Sequence, residues 1–143
     1  MNEFYELHRR LNEYILLTGL INRVTWGDEF DLDIDKRNKY ALSHIMYQSI
    51  EPRISVNAVT IDIILADMVN DSFDNTLDVF NAMSVVGTMI YKAFEGGDLY
   101  DFGYRIEGTP TMELFTERGK MNLAGVTLSL IITYPNNVTR CSS

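Results

Sequence analysis

The chain has 143 residues, of which 46% are hydrophobic and 22% are charged, and this composition excludes an intrinsically disordered protein. Its net charge of −8 at pH 7 argues against nucleic-acid binding as the main task, because phosphate contacts require clustered Lys and Arg. The single cysteine, Cys141, excludes an internal disulfide, and neither a signal peptide nor an apolar run long enough to span a membrane is recognisable.

The first predicted element is an amphipathic helix over residues 3–18. Apolar side chains recur there every three or four positions from Phe4 to Ile15, and charged residues occupy the positions between them. Gly19 is typical of a helix end, and the β-branched and aromatic run at 20–27 predicts a strand. The sheet is therefore expected to begin directly after this helix.

The next stretch, DEFDLDIDK at 28–36, raises the question of a metal site. Aspartates stand at alternate positions from Asp31, the spacing that opens a calcium-binding EF-hand loop. The sixth position of such a loop would be Lys36 instead of glycine, and the twelfth would be Leu42 instead of a carboxylate. Because apolar residues alternate with the acids, the pattern instead predicts a strand or strand edge with one acidic face. We expect no metal there.

Two long apolar runs, at 41–52 and 54–69, are separated by a plausible turn at Glu51-Pro52-Arg53. They predict a long antiparallel hairpin. The alternation in the second run is interrupted near Asn57-Ala58, which predicts a β-bulge at that position.

Residues 70–98 change to helical spacing and predict the second helix. Asp74 or Asn75 is expected to cap it, and Gly96-Gly97 is expected to end it. Gly87, inside the helix, predicts a close approach to another backbone. The apolar positions that share one helical face are Leu77, Phe80, Met83, Val86, Ile90 and Phe94.

The last third predicts three further strands, at 99–108, 109–119 and 122–135. The polar residues that follow are expected to form a C-terminal tail over 135–143. Together the elements predict a single α+β domain over residues 1–143, in which two helices pack on one side of a mostly antiparallel sheet.

No catalytic constellation is recognisable in the sequence. His8 and His44 have no neighbouring ligand motif, and Cys141 lies in the polar tail. We therefore expect a binding or structural module that is not an enzyme and that uses no cofactor and no metal. An enzyme with a site assembled from Asp62, Asp67 and His44 is an open alternative.

Five segments, taken in order, carry a family resemblance that covers most of the chain. The most distinctive parts are the ExFxER pattern from Glu113 to Arg118, the Leu-Ala-Gly at 123–125, and a strand that ends in Pro-Asn close to a C-terminal cysteine. Two positions depart from the expected pattern: Val126 stands where a tryptophan is expected, and Ala41 stands where a proline is expected. The five segments are NRVTWGDEFDLDIDK, YALSHIMYQSIE, VTIDIILAD, MELFTERG and NLAGVTLSLIITYPNNVTRC. With these features the chain resembles virion proteins of tailed phages, of the tail-terminator or neck-ring type, found among others in crAss-like phages.

The resemblance implies a structural subunit of a virion ring, made in the cytoplasm of a bacterial host. Such a ring sits in the neck or tail, contacts other neck or tail proteins, and lets DNA pass through its lumen without specific binding. It implies a homo-oligomer of six copies, with twelve as the alternative, and no membrane partner. A non-virion assembly factor that binds a partner by strand addition is the alternative function.

The acidic strand face and the basic cluster after it are the candidate functional residues. They are expected at the channel or at a subunit boundary, and an ordinary solvated edge that discourages stray strand pairing is the alternative. These residues are Asp31, Asp33, Asp35, Lys36, Arg37 and Lys39.

Overall fold

A five-stranded sheet with both long helices on one face is the framework of the protein. The computed structural model describes residues 3–27, 41–70, 72, 74–118 and 122–136. The elements in chain order are α1 (Glu3–Leu17), β1 (Arg23–Trp26), β2 (Leu42–Pro52), β3 (Val56–Met68), α2 (Thr76–Gly96), α3 (Asp98–Asp101), β4 (Arg105–Arg118) and β5 (Asn122–Pro135).

The strands are arranged in the order β1-β2-β3-β5-β4. β1 runs parallel to β2, and every other neighbouring pair is antiparallel. The predicted hairpin is present as β2 and β3, whose arms pair from Leu42 with Ala66 to Pro52 with Asn57. The predicted α+β class, with two long helices on a mostly antiparallel sheet, is therefore confirmed.

The core lies between the helices and the face of the sheet that carries the odd-numbered residues of β3. α1 contacts Tyr47, which is opposite Ile61, and α2 places Gly87 beside the Leu65 side chain, so both helices cover the same face. Alternate residues of β5 complete this apolar layer, as the period of a half-buried strand requires. The buried residues of the two helices are Leu7, Leu11, Ile15, Val79, Met83, Val86, Gly87, Ile90, Ala93 and Phe94.

The β-bulge lies on the other arm of the hairpin from the predicted one. The pairing of β2 with β3 shifts between Tyr47 and Ser49, whereas Asn57 and Ala58 pair regularly with both neighbouring strands. β3 is a central strand that must hold its hydrogen bonds on two sides. The extra residue that forms the bulge is therefore accommodated in β2, at a point past the end of β1.

In the described residues of the last third, two strands are present instead of the three predicted. β4 continues through residues 108–110 as one irregular step in its pairing with β5, between Glu107 and Thr111. Gly108 adopts a positive φ of 74° there, and Pro110 is tolerated because β4 has a described neighbour on one side alone. Residues 98–101, expected in a strand or loop, form the short helix α3.

Helix α2 ends where the sequence predicts, but the burial of two apolar residues in its first turns differs from the prediction. It ends at Gly96, and the N–H of Gly97 donates to the Ala93 carbonyl oxygen at 3.2 Å. Leu77, predicted to face the core, is 77% exposed, and Phe80 is only partly buried. A Cβ on Gly87 would lie 2.5 Å from the Met112 sulfur, so the close neighbour of this glycine is a side chain of β4 and not a backbone.

Candidate subunit interface

The acidic run and the basic cluster after it lie outside the described residues. Asp31, Asp33, Asp35, Lys36, Arg37 and Lys39 all belong to the segment 28–40, as does the strand predicted at 28–36. Their expected place at a channel or subunit boundary remains a prediction. The described residues on either side are Gly27, which follows β1, and Ala41, which precedes β2.

β4 forms one outer edge of the sheet. It is 14 residues long, and within the described chain it pairs with β5 alone. Its apolar side chains Met112 and Leu114 are 39% and 60% exposed, and both lie on the face of the sheet that carries the helices. A long edge with exposed apolar residues offers unpaired N–H and C=O groups to another strand. We call this the β4 edge.

The opposite outer edge is divided between two strands. β1 pairs with residues 42–45 of β2 and ends at Trp26, opposite Ile45. Residues 46–52 of β2 therefore have β3 on one side and no described strand on the other. This outer side of residues 46–52, the β2 edge, includes Ile50, whose side chain is 46% exposed.

An aromatic cleft lies beside the β2 edge, on the helical face of the sheet. Its volume is about 420 Å³. Phe4 of α1 packs edge-to-face on Tyr47 with ring centroids 4.8 Å apart, and His8 packs in the same way on Trp26 at 5.7 Å. Trp26 is 66% exposed, which is unusual for a residue that gains so much from burial. The residues that line the cleft are Phe4, Tyr5, His8, Arg9, Asn12, Trp26 and Tyr47.

A short hydrogen bond joins the two sides of the cleft. His8 Nδ1 lies 2.6 Å from the Tyr47 hydroxyl oxygen. Burial lowers the pKa of His8 and raises the pKa of Tyr47, so both groups are neutral at pH 7. With both groups neutral, either the Tyr47 hydroxyl donates to Nδ1 or Nδ1–H donates to the hydroxyl oxygen, according to the tautomer of the imidazole. This bond fixes the position of α1 against β2.

This pair predicts a loss of stability in mild acid. The pKa of His8 is lowered from 6.5 in the folded state, so below about pH 6.5 the unfolded chain binds a proton that the folded chain resists. The free energy of unfolding should fall as pH falls from 7 towards 5, and should be insensitive to His8 above pH 7. Urea denaturation across this range should show a shallower pH dependence for His8→Gln than for the unchanged protein. Equal slopes would contradict the assigned neutral state.

The face of the sheet opposite the helices carries polar side chains along the middle of β3, β4 and β5, with Leu42, Ile64 and Ile131 as apolar members. No helix covers it in the part of the chain that the structure describes. Thr127 and Ser129 of β5 are flanked by Glu113 and Thr111 of β4, and Asp62 of β3 lies opposite Ser129 on the other side. Its acids are partly or fully exposed. We call this surface the polar sheet face. The alternation of Thr and Ser with apolar residues in 127–133 is the sequence signal that predicts it.

The three residues of the alternative enzyme site do not share one face. His44 and Asp62 alternate onto the polar sheet face, whereas Asp67 falls on the helical side by the same alternation. His44 Nδ1 is 2.7 Å from Thr25 Oγ1, and Asp62 accepts a hydrogen bond from Gln48 at 3.2 Å. Residues 3–27, 41–70, 72, 74–118 and 122–136 hold no cluster of three His, Cys, Asp or Glu that could bind a metal ion.

No family model and no curated protein matches this chain. The likeness to phage ring proteins therefore depends on the sequence segments given above. None of the helices described here is both long and apolar enough to cross a membrane.

Proposed function

We propose that the protein is a structural subunit of a ring in the neck or tail of a tailed phage, as a tail terminator or head-to-tail connector. The observation that supports this most directly is that the sheet ends in two different edges, the β4 edge and the β2 edge. Unlike edges favour head-to-tail contacts, and head-to-tail contacts close into a ring when the rotation between copies permits it.

The charge of the chain suits a ring through which DNA passes. A net charge of −8 repels the phosphates of DNA, so a passing duplex should not adhere to an acidic wall. The polar sheet face adds Asp62 and Glu113 to the acids of the segment 28–36. The polar sheet face and the acidic run of the sequence are both candidates for the wall of the lumen.

Charge reversal of the acidic run tests this function. The triple variant Asp31→Lys, Asp33→Lys, Asp35→Lys is expected to form rings that retain DNA in a salt-sensitive way, and particles that carry it should eject DNA more slowly. New lysines would bind phosphates and release counterions, and translocation would have to break each such contact. DNA retention is measured on assembled rings at several salt concentrations, and ejection is measured on purified particles.

A matched control places the same charge change on exposed acids of the helical layer. The variant Asp78→Lys, Glu95→Lys, Asp98→Lys alters residues that are exposed on α2 and α3. It should leave both measurements unchanged. Rings of the first variant that assemble without any gain in DNA binding would contradict a place for the acidic run in the channel. Loss of assembly would instead assign that run to a subunit boundary with Lys36, Arg37 and Lys39 of the neighbour.

A second candidate function is a non-virion assembly factor that binds its partner by strand addition. The β4 edge favours it, because a long exposed strand edge is the surface that such binding uses. Mass spectrometry of purified particles separates the two functions. A ring subunit should be present in several copies per particle, whereas an assembly factor should be absent from mature particles and present in precursors.

A further inference from the structure

The β4 edge offers a regular stretch of backbone to another strand. From Thr111 to Arg118 its pairing with β5 is uninterrupted, and the other side of this stretch has no strand within the described chain. The irregular step at 108–110 breaks the line of the edge before it. An added strand could therefore form a continuous ladder of about seven residues, which is within the usual range of strand lengths.

Helix α2 lines the helical side of this stretch with further apolar residues. Gly87 and Tyr91 border, together with Met112, a cavity of about 220 Å³ between the helix and β4. Phe80 lies about two turns before Gly87, and Leu77 lies about one turn before Phe80. Residues at this spacing share one side of a helix, so Leu77 and Phe80 continue the side that faces β4.

The direction of α2 places these two residues along the same stretch of the edge. α2 begins shortly after β3 ends, at the side of the sheet where β4 also ends, and it stops shortly before β4 begins. The start of the helix therefore lies next to the second half of β4. Leu77 is 77% exposed there, and Leu114 is exposed on the strand beside it. We call the apolar surface of Leu77, Phe80, Met112 and Leu114 the α2–β4 groove.

The opposite side of the same stretch carries an acid without a described counter-ion. Glu113 lies on the polar sheet face between Thr111 and Phe115, is exposed, and forms no salt bridge with a described Lys or Arg. Glu107, earlier in β4, instead accepts two hydrogen bonds from Arg53, at 2.6 and 2.9 Å. A basic side chain on an added strand would neutralise Glu113, and the half-buried Phe115 would support its aliphatic stem.

From these contacts we propose that the β4 edge binds an extended segment of a partner protein in which apolar and basic residues alternate. The apolar side chains enter the α2–β4 groove, and a Lys or Arg pairs with Glu113 on the polar sheet face. The same alternation results whether the segment runs parallel or antiparallel to β4. The proposal rests on the second candidate function, strand addition, and adds the chemistry of the strand that is bound.

A second copy of β4 fits this edge less well. A twofold axis through Met112, Glu113 or Leu114 would pair the two strands with the helices of both copies on one side. Glu113 would then face Thr111, Glu113 or Phe115 of the other copy, in that order, and none of these is basic. Such a pairing would also bring together two chains that each carry a net charge of −8. A basic strand removes both conflicts.

Binding of synthetic peptides tests the chemistry of the strand. The probe is a fluorescent nine-residue peptide in which Ile and Lys alternate. It should bind at least about tenfold more tightly than a peptide with Glu in place of each Lys, and than a peptide with the same Ile and Lys grouped in two blocks. The block peptide has the same charge as the probe, so it controls for general attraction to an acidic protein. Fluorescence anisotropy measures all three on the full-length chain.

Two matched pairs of variants locate the bound peptide. Leu77→Ser should weaken binding of the alternating peptide about fivefold or more, because it removes apolar surface from the groove. Leu17→Ser changes a helical leucine of similar exposure, 80%, and should leave binding unchanged. Glu113→Lys should reverse the preference towards the peptide with Glu. Asp98→Lys makes the same charge change at an exposed acid of α3, near Tyr14 of α1, and should not reverse it.

Hydrogen exchange shows whether the peptide adds as a strand. With the alternating peptide bound, backbone amides at alternate positions of 111–118 should exchange more slowly, because every second N–H of an edge strand points away from the sheet. Protection that appears only outside 111–118 would place the peptide elsewhere and overturn the proposal.

The outcomes separate this proposal from the functions proposed above. Equal binding of the three peptides, or a Leu77→Ser protein that binds as well as the Leu17→Ser protein, overturns the strand chemistry. Mass spectrometry of particles still decides between ring subunit and assembly factor in that case. A chain that binds no peptide and sediments as a dimer, which Leu114→Ser separates into monomers, would assign the edge to a second copy and overturn the proposal.

Discussion

Gly125→Ala is expected to be among the most destabilising single changes in the chain, with a loss of about 3 kcal/mol or more in the free energy of unfolding. Gly125 lies in β5, between Ala66 of β3 and Phe115 of β4. A Cβ at this position would overlap the Leu65 carbonyl oxygen and lie 2.9 Å from the Ala66 Cα. These are backbone atoms of the central strand, so no side-chain rotation relieves the clash.

Urea denaturation followed by circular dichroism measures this effect. Gly96→Ala is the matched control, because it adds the same methyl group at the end of α2, where nothing outside the local helix backbone lies within 4 Å of it. The control should be neutral or slightly stabilising, as alanine favours the helix over glycine. A Gly125→Ala protein as stable as the Gly96→Ala protein would show that β5 moves aside easily and would contradict the close approach of the strands.

The helices and the hairpin could be predicted because their signals are local. Apolar residues at three-four spacing and the Gly96-Gly97 end are read directly along the chain, and they gave both long helices with nearly correct bounds. The division of β4 into two strands was wrong because Gly108 and Pro110 give the same signal for a turn as for an irregular step in a long edge strand. Only pairing with the intact β5 distinguishes the two.

The candidate interface could not be predicted from periodicity, because it depends on which strands are outermost. β1 ends opposite Ile45 and leaves the β2 edge without a described neighbour, and the strand order places β4 outermost on the other side. His8 and Tyr47 are 39 positions apart, and no local pattern joins them. The single tryptophan of the chain, Trp26, was a usable signal, since tryptophan is enriched in protein interfaces.

Periodicity also treated Phe80 and Phe94 of α2 as equivalent core residues, and the structure separates them. Phe94 is fully buried among the apolar residues of the core, whereas Phe80 is packed against that core and is only partly buried. Leu77, one turn before Phe80, is mostly exposed. The buried face of α2 begins in its first turn with Val79, which belongs to the core, so Leu77 and Phe80 lie beside that face although they share the apolar spacing in the sequence.

Phe94→Ala should therefore lower the free energy of unfolding by about 3–5 kcal/mol, because it leaves a cavity that the surrounding strands cannot fill. Phe80→Ala removes the same atoms from a half-exposed site, where water replaces part of the ring, and should cost about 1–2 kcal/mol. Urea denaturation of the two variants at one pH gives the comparison, provided that both show the same dependence on urea concentration. Equal losses would mean that Phe80 is as deeply buried as Phe94 and would contradict its place beside the buried face of α2.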